Sequence, residues 1–384
     1  MLGILNDVRV LEITNTLSGA FCAKLLADQG ANTLKIEPPG RGDPARHEPP
    51  FIGGEPHPER STLFLAFNTN KRSVTLNLGT PTGQDMLLRL VRNVDVVVET
   101  YPPGHLDGLG IGYSTLQKFN PRLILTSITY FGQTGPYSHY KGDDLIIQAM
   151  GGFLYAVTGL AGKPPMGTVL SQTEIIAARN AAIATMAALF QQRETDEGQH
   201  IDVSLMEAMV STPGNLIQQY SFTGGIIRRG SSALEVLDGA HLKTKDGEVT
   251  LTTTGTGGRP METWAEFLEE PRLLDPKFTT RQGRTKNAQE LLEIVQAKLE
   301  QWNNLDLMRE TMARGLVVGL VQSPEQVVSS PHLAERGSFV EMDHPNVGTL
   351  KYAGAGFLID GANPMKGSRA APRLGEHNAA VYCG

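Results

Sequence analysis

The polar run TNTLSGAF (Thr14–Phe21) lies between an apolar run and a helix-forming run, where a ligand could be held. Glu37 follows about 20 residues on, where the ribose-binding acid of a dinucleotide site would stand. The run contains no GxGxxG, so the glycines that let a pyrophosphate approach the backbone are missing, and a nicotinamide or flavin enzyme is not expected. Open α/β sheets still bind other ligands beyond the carboxyl ends of their strands. A plain connecting loop is the competing reading. Lys71 and Arg72 stand in NKRS between apolar stretches, and Lys141 stands in HYKGDD just before LIIQAMGGF. Cations at strand and loop ends suit phosphate, while a solvated face explains the charge without a ligand. Asp143-Asp144 is an acidic pair beside Lys141, open to reading as a Mg2+ site or as a solvated turn.

Several other chemistries are excluded by pattern or composition. There is no P-loop and no GxSxG, and the nine histidines form neither HExxH nor another pair at metal spacing. Cys22 and Cys383 are the only cysteines, which excludes a disulfide framework and a cysteine-rich zinc site; no metal is expected. Lys+Arg 34 against Asp+Glu 40 leaves a net charge of -6, so no nucleic-acid partner is expected. No window is read as approaching the ~18 uncharged apolar residues of a membrane span. The opening MLGILNDVRVLEIT lacks a basic n-region and a cleavage site, so no signal peptide and a reduced, cytoplasmic protein are expected.

The elements that would position these residues follow from periodicity. Val8–Ile13 and Asn32–Glu37 read as buried strands, with a helix over Ala20–Gln29 between them and Gly30 at its C-cap. Strand, helix and strand within ~30 residues make a βαβ unit and imply a parallel sheet. Thr80-Pro81 supplies an N-cap and a first-turn proline for the next helix. Asp95–Thr100 and Leu123–Thr129 read as parallel strands. A long helix over Thr173–Gln192 and a strand over Ile201–Leu205 follow. The expectation is a doubly wound, Rossmann-like α/β domain over residues 1–215, rejoined by 340–384, with a smaller α+β domain over 225–335. At 384 residues, two domains fit the length.

Several longer runs occur together and in order: GANTLKIEPPGRGDPAR (Gly30–Arg46), NTNKRSVTLNL (Asn68–Leu78), VDVVVETYPPGHLDGLGIGY (Val94–Tyr113), NPRLILTSITYFGQTGPY (Asn120–Tyr137), DDLIIQAMGG (Asp143–Gly152), AALFQQRETDEGQHIDVSLMEAM (Ala187–Met209) and PRLGEH (Pro372–His377). With these runs, essentially the whole chain resembles family III CoA-transferases, the CaiB/BaiF group. The resemblance implies CoA transfer from an acyl-CoA to a carboxylic acid, with CoA as substrate and no tightly bound cofactor. It also implies an interlocked homodimer of two ring-like protomers. In that family an aspartate forms a mixed anhydride and then a CoA thioester. Counting back from Ala187-Ala188-Leu189, the matching residue is Glu174, so the chain departs from the family here.

A glutamate is also an oxygen nucleophile, but one methylene moves the carboxylate by about 1.5 Å. A working Glu174 nucleophile, altered chemistry and a structural role therefore stay open. The structural role, a helix-start acid, predicts an exposed side chain. Racemases of the superfamily use a His-Asp dyad where this chain has Asp143, so a racemase is disfavoured, and a degenerate CoA-binding protein is the non-enzymatic alternative. The resemblance carries CoA contacts onto Thr16, Leu17, Ser18, Leu76, Thr100, Tyr101, Lys141 and Leu205. Two family cations are absent, at Pro38 or Pro39 and at Gly108, and Lys71, Arg72 and Arg46 are the candidates to replace them. The glycine-rich Gly255–Arg259 is a candidate lid, and Arg259 a candidate partner for the second carboxylate of a dicarboxylic acid.

Overall fold

The structure is a computed structural model that describes residues 3–159, 163–212, 214, 216–228, 237, 240–252 and 260–383. These residues fall into two compact units, one within 1–159, 163–226 and 334–384, the other within 227–333.

The first unit is built on a six-stranded sheet of β1 (Arg9–Ile13), β2 (Asn32–Glu37), β3 (Lys71–Thr75), β4 (Val96–Glu99), β5 (Ile124–Thr129) and β6 (His200–Ser204), in the order β3-β2-β1-β4-β5-β6. Every pairing is parallel. The fold is therefore the expected doubly wound α/β arrangement, with the strand order reversing beside β1, where such sheets open a ligand crevice. Two inner strands, β4 and β5, are buried along their whole length, as helices on two faces require. Thr80 caps the helix Pro81–Val91 by accepting from the Gly83 N–H at 3.2 Å, with proline in the first turn as its sequence indicates.

β3 is the strand of this sheet that periodicity does not announce, because KRSVT opens with two cations. Lys71 can be buried there because Glu12 of β1 supplies its counter-charge. Glu12 on β1 receives Lys35 of β2 at 2.5 Å and Lys71 at 2.8 Å, and Lys35 also meets Asp43 at 2.5 Å. Beside them Arg46 binds Glu37 at 2.7 Å and Glu59 at 2.9 Å. Burial alone would raise the Glu12 carboxyl, but the two ammonium groups together hold it below its ordinary value. The chain end completes this edge: Asn378 accepts from the Thr75 N–H at 2.8 Å and His377 donates its N–H to Ser73 O at 2.9 Å.

The helix Gln172–Thr195 packs against the helix Leu17–Ala27 through Ala177, Ala178, Ala181 and Ala182, all buried. Small side chains let the two backbones come close. This helix is long and apolar enough to cross a bilayer by length and composition, which corrects the expectation that no segment approaches that limit; its alanine face lies inside the unit.

The second unit has an antiparallel sheet of β7 (Leu242–Lys243), β8 (Glu248–Thr252) and β9 (Val317–Leu320). Helices Met261–Phe267, Ala288–Leu299 and Asn304–Ala313 pack on it around Trp264, Phe278, Leu291 and Leu307. In the first unit, β10 (Phe339–His344) and β11 (Gly348–Ala353) form a separate antiparallel pair.

Candidate active site

Glu174 lies in the first turn of the helix Gln172–Thr195, and its carboxylate reaches the first turn of another helix. Its Oε2 accepts from the Ser18 N–H at 2.8 Å, and the Leu17 N–H points to the same group. Leu17 and Ser18 open the helix Leu17–Ala27, which has no side-chain cap of its own from Thr16. The first N–H groups of a helix lack internal partners and carry the positive end of its dipole, so they hold an anion well. The Glu174 side chain is half-buried, which departs from the exposure expected of a plain helix-start acid. Burial raises its carboxyl above the usual range and Asp144 adds to the rise, while the Ser18 and Leu17 N–H groups and the Ser18 hydroxyl oppose it.

Two threonines lock the turn that presents these N–H groups. Thr100, just past β4, accepts from the Asn15 N–H at 3.0 Å and donates to Asn15 Oδ1 at 2.9 Å. Thr16 and Ser18 share a hydroxyl hydrogen bond of 2.9 Å. Gly19 fits here because a Cβ would come within 2.4 Å of Thr14 Cγ2 and 2.6 Å of Thr100 Cγ2.

A cavity of about 440 Å3 opens over this turn, beyond the carboxyl ends of β4 and β5. Glu174, Thr16, Ser18, Thr100, Tyr101, Lys141 and Leu205 all line it, so most residues carried over from the resemblance are brought together. Leu17 joins through its backbone N–H. Sequence reasoning gave no role to Tyr130, His139 and Tyr140, which line the same cavity. Tyr130 sits beside Gly142, where a Cβ would come within 2.7 Å of its ring, and burial followed by the Glu174 charge raises its phenol. Tyr137 and Tyr140 meet with tilted rings 5.2 Å apart, and each meets Phe131 edge-on, at 6.2 and 6.4 Å. The signal that could have found them is the aromatic content of TYFGQTGPYSHY, following a strand that ends at the crevice.

Four expected CoA contacts lie elsewhere. Lys71 is buried, with its ammonium on Glu12, Ala20 O and Asn68, so it is committed to the core and not offered to a phosphate. Arg46 is committed in the same way to Glu37 and Glu59. Leu76 is buried among Leu78, Leu87 and Val91. Arg72 lines a different cavity, shared with Arg9, Asn32 and Tyr382 near the amino ends of the strands. The acidic pair holds helices: Asp143 accepts from the Ile146 N–H at 2.9 Å, and Asp144 receives both the N–H and the hydroxyl of Thr173, at 2.9 and 2.6 Å. Asp144 thereby fixes the turn that carries Glu174. Gly255–Arg259, the candidate lid, lies outside the described residues.

Comparison with known proteins shows the family of the chain. Residues 5–378 match the family described as CoA-transferase family III. The chain belongs to that family. It is 33% identical to the succinyl-CoA–D-citramalate CoA-transferase of Chloroflexus aurantiacus, over 98% of this chain and 93% of that protein. It is 31% identical to the succinate–glutarate CoA-transferase of Agrobacterium fabrum, over 98% of this chain and 94% of that protein. Among solved structures, a CaiB/BaiF family protein from Brucella suis superposes with a TM-score of 0.86 at 30% identity, covering 100% of this chain and 99% of that one. In this family III CoA-transferase, a carboxylate held by helix N–H groups faces a cavity large enough for the reactive end of a thioester.

Proposed function

We propose that the protein moves CoA from an acyl-CoA to a carboxylic acid, with Glu174 as the nucleophile. The observation that carries this reading is the Glu174 carboxylate seated on the Leu17 and Ser18 N–H groups inside the cavity. A Glu174 oxygen attacks the thioester carbonyl carbon, the C–S bond breaks and CoA leaves as thiolate, giving a mixed anhydride. The thiolate then attacks the Glu174 carbonyl carbon and expels the donor carboxylate, leaving a Glu174–CoA thioester. Negative charge gathers on the Glu174 carbonyl oxygen during that attack, where the Ser18 and Leu17 N–H groups already point. Such preorganised donors contribute roughly 10²–10³-fold in rate each. The acceptor carboxylate repeats the two steps in reverse and leaves as the new acyl-CoA. Each step exchanges one anion for another, so no net proton transfer is required. Thr16, Ser18, Thr100, Tyr101, Lys141 and Leu205 would border the CoA arm.

The relatives' names favour a dicarboxylate among the substrates: succinyl-CoA with D-citramalate, and succinate with glutarate. We also infer a homodimer. It is supported by Ile183 and Phe190 on the outer face of the long helix, 67% and 73% exposed, and by Phe222, 81% exposed.

The test is incubation with succinyl-CoA and a panel of carboxylates, following new CoA esters and solvent deuterium uptake. A new ester with no deuterium supports transfer, whereas deuterium at the carbon beside the thioester points to isomerisation and overturns it. Glu174→Gln should abolish transfer while CoA binding persists, and hydroxylamine should trap a Glu174 thioester in the wild type. Full turnover by Glu174→Gln would remove Glu174 from the mechanism.

A further inference from the structure

Behind Tyr101 lies a second cavity of about 270 Å3, lined among others by Glu99, Ser127, Asp107 and His200. Three neighbouring strands place a chain of polar groups in it. Glu99 ends β4 and pairs in register with Ser127 of β5, and His200 opens β6. The Glu99 Oε2 accepts from the Tyr101 N–H at 2.6 Å, and the Ser127 hydroxyl bonds the same carboxyl. Ser127 Oγ lies 2.9 Å from His200 Nε2, and the exposed imidazole stacks on Tyr113 with ring centroids 5.2 Å apart. The buried acid is thus connected to solvent through one hydroxyl and one imidazole.

We propose that Glu99 is a positioning residue whose carboxylate holds Tyr101 at the CoA cavity, and that its proton reaches solvent through Ser127 and His200. This rests on the reading that the cavity lined by Tyr101 receives CoA. When Glu99 is protonated, it donates to Ser127 Oγ, Ser127 donates to His200 Nε2, and the imidazole proton sits on Nδ1. On ionisation the Glu99 proton passes to Ser127, the Ser127 proton passes to Nε2, and the Nδ1 proton leaves to water. Every proton is accounted for, and the imidazole remains neutral at both ends of the step. The Tyr101 N–H is then bound by a full carboxylate, a charge-assisted bond roughly twice as strong as the neutral one.

The surroundings set this exchange near neutrality. Burial pushes the Glu99 carboxyl up to about 7; the Ser127 hydroxyl and the Tyr101 N–H oppose the rise, while Asp107 from the helix His105–Gly108 and Asp202 from β6 add to it. The His105 imidazole, from the helix His105–Gly108, stacks on the Tyr101 ring with centroids 4.8 Å apart, and Lys35 of β2 and Asp43 also act on the Tyr101 phenol. The packing around His200 holds its imidazole below its ordinary value, against Asp202 and Asp107, which favours the neutral ring that the relay uses.

The experiment measures CoA affinity by calorimetry from pH 6 to 8, with KM and kcat for transfer alongside. Wild type should bind CoA about three- to tenfold more weakly at pH 6 than at pH 8, the change falling on KM rather than kcat. Glu99→Gln keeps both hydrogen bonds in their neutral form, so it should bind weakly at every pH, beyond the phosphate titration common to both proteins. Ser127→Ala removes a bond that favours the carboxylate and should move the midpoint upward without abolishing it. Nitrogen NMR of His200 should show the proton on Nε2 above the midpoint and on Nδ1 below it. A Glu99→Gln protein with the wild-type pH profile overturns the proposal, as does a single His200 tautomer across the range. Should wild type bind no CoA at any pH, the assignment of the cavity fails, and the His200 spectrum still reads the relay by itself. If Glu99→Gln does not fold, the Ser127→Ala midpoint decides.

Discussion

As the proposed nucleophile, the Glu174 carboxylate would attack a carbonyl while two helix N–H groups hold it, so its reach is fixed by one methylene. Glu174→Asp draws the carboxylate back by about 1.5 Å from Ser18, and misplacement on that scale costs on the order of a hundredfold in kcat. Single-turnover acyl transfer would measure it. Because burial raises the Glu174 carboxyl and the carboxylate is the attacking form, turnover should fall as pH drops through a point above the ordinary glutamate range. Glu174→Gln binding of CoA should not follow that limb, which separates chemistry from binding. Glu12 makes a contrasting residue-scale case, for stability. Glu12→Gln leaves Lys35 and Lys71 buried side by side without the anion between them. The expected loss is about 3–5 kcal/mol in urea unfolding, the usual cost of breaking a buried ion pair from one side.

At the scale of elements, the site depends on how closely the helix Leu17–Ala27 approaches the ends of β1 and β4. Gly19→Ala places a methyl against Thr14 and Thr100, both of which hold the turn. Relief requires the helix to move outward, costing about 1–3 kcal/mol, and carries the Leu17 and Ser18 N–H groups away from Glu174. The expected outcome is a lower Tm together with a lower kcat, measured on the same preparation. Asp144 ties the opposite element in place through Thr173, so Asp144→Asn should weaken that pair of bonds and lower kcat by a smaller factor, with CoA affinity kept.

For the whole molecule, the long helix carries Ile183 and Phe190 exposed on one face. Large exposed apolar patches mark interaction sites more often than scattered single residues do. On the inferred homodimer, Phe190→Glu should shift the species seen by light scattering at micromolar concentration toward the monomer. A wild type that scatters as a monomer would remove the dimer.

The sequence by itself determined the doubly wound sheet, because buried strands show as β-branched runs and their connecting helices carry caps and 3.6-residue periodicity. Asn32–Glu37 and the Thr80 cap are read correctly for that reason. The ordered runs along the chain likewise determined the family. The tertiary structure alone decided which charges are spent inside. Lys71 and Arg46 look like free cations in sequence, yet each meets a carboxylate from another strand or loop, up to dozens of residues away. It also decided that Glu174 caps a helix 156 residues earlier, and that Glu99, Ser127 and His200 form one chain. Periodicity records only whether a side chain faces inward; what it meets there depends on strand order, which brings together residues that no local spacing connects.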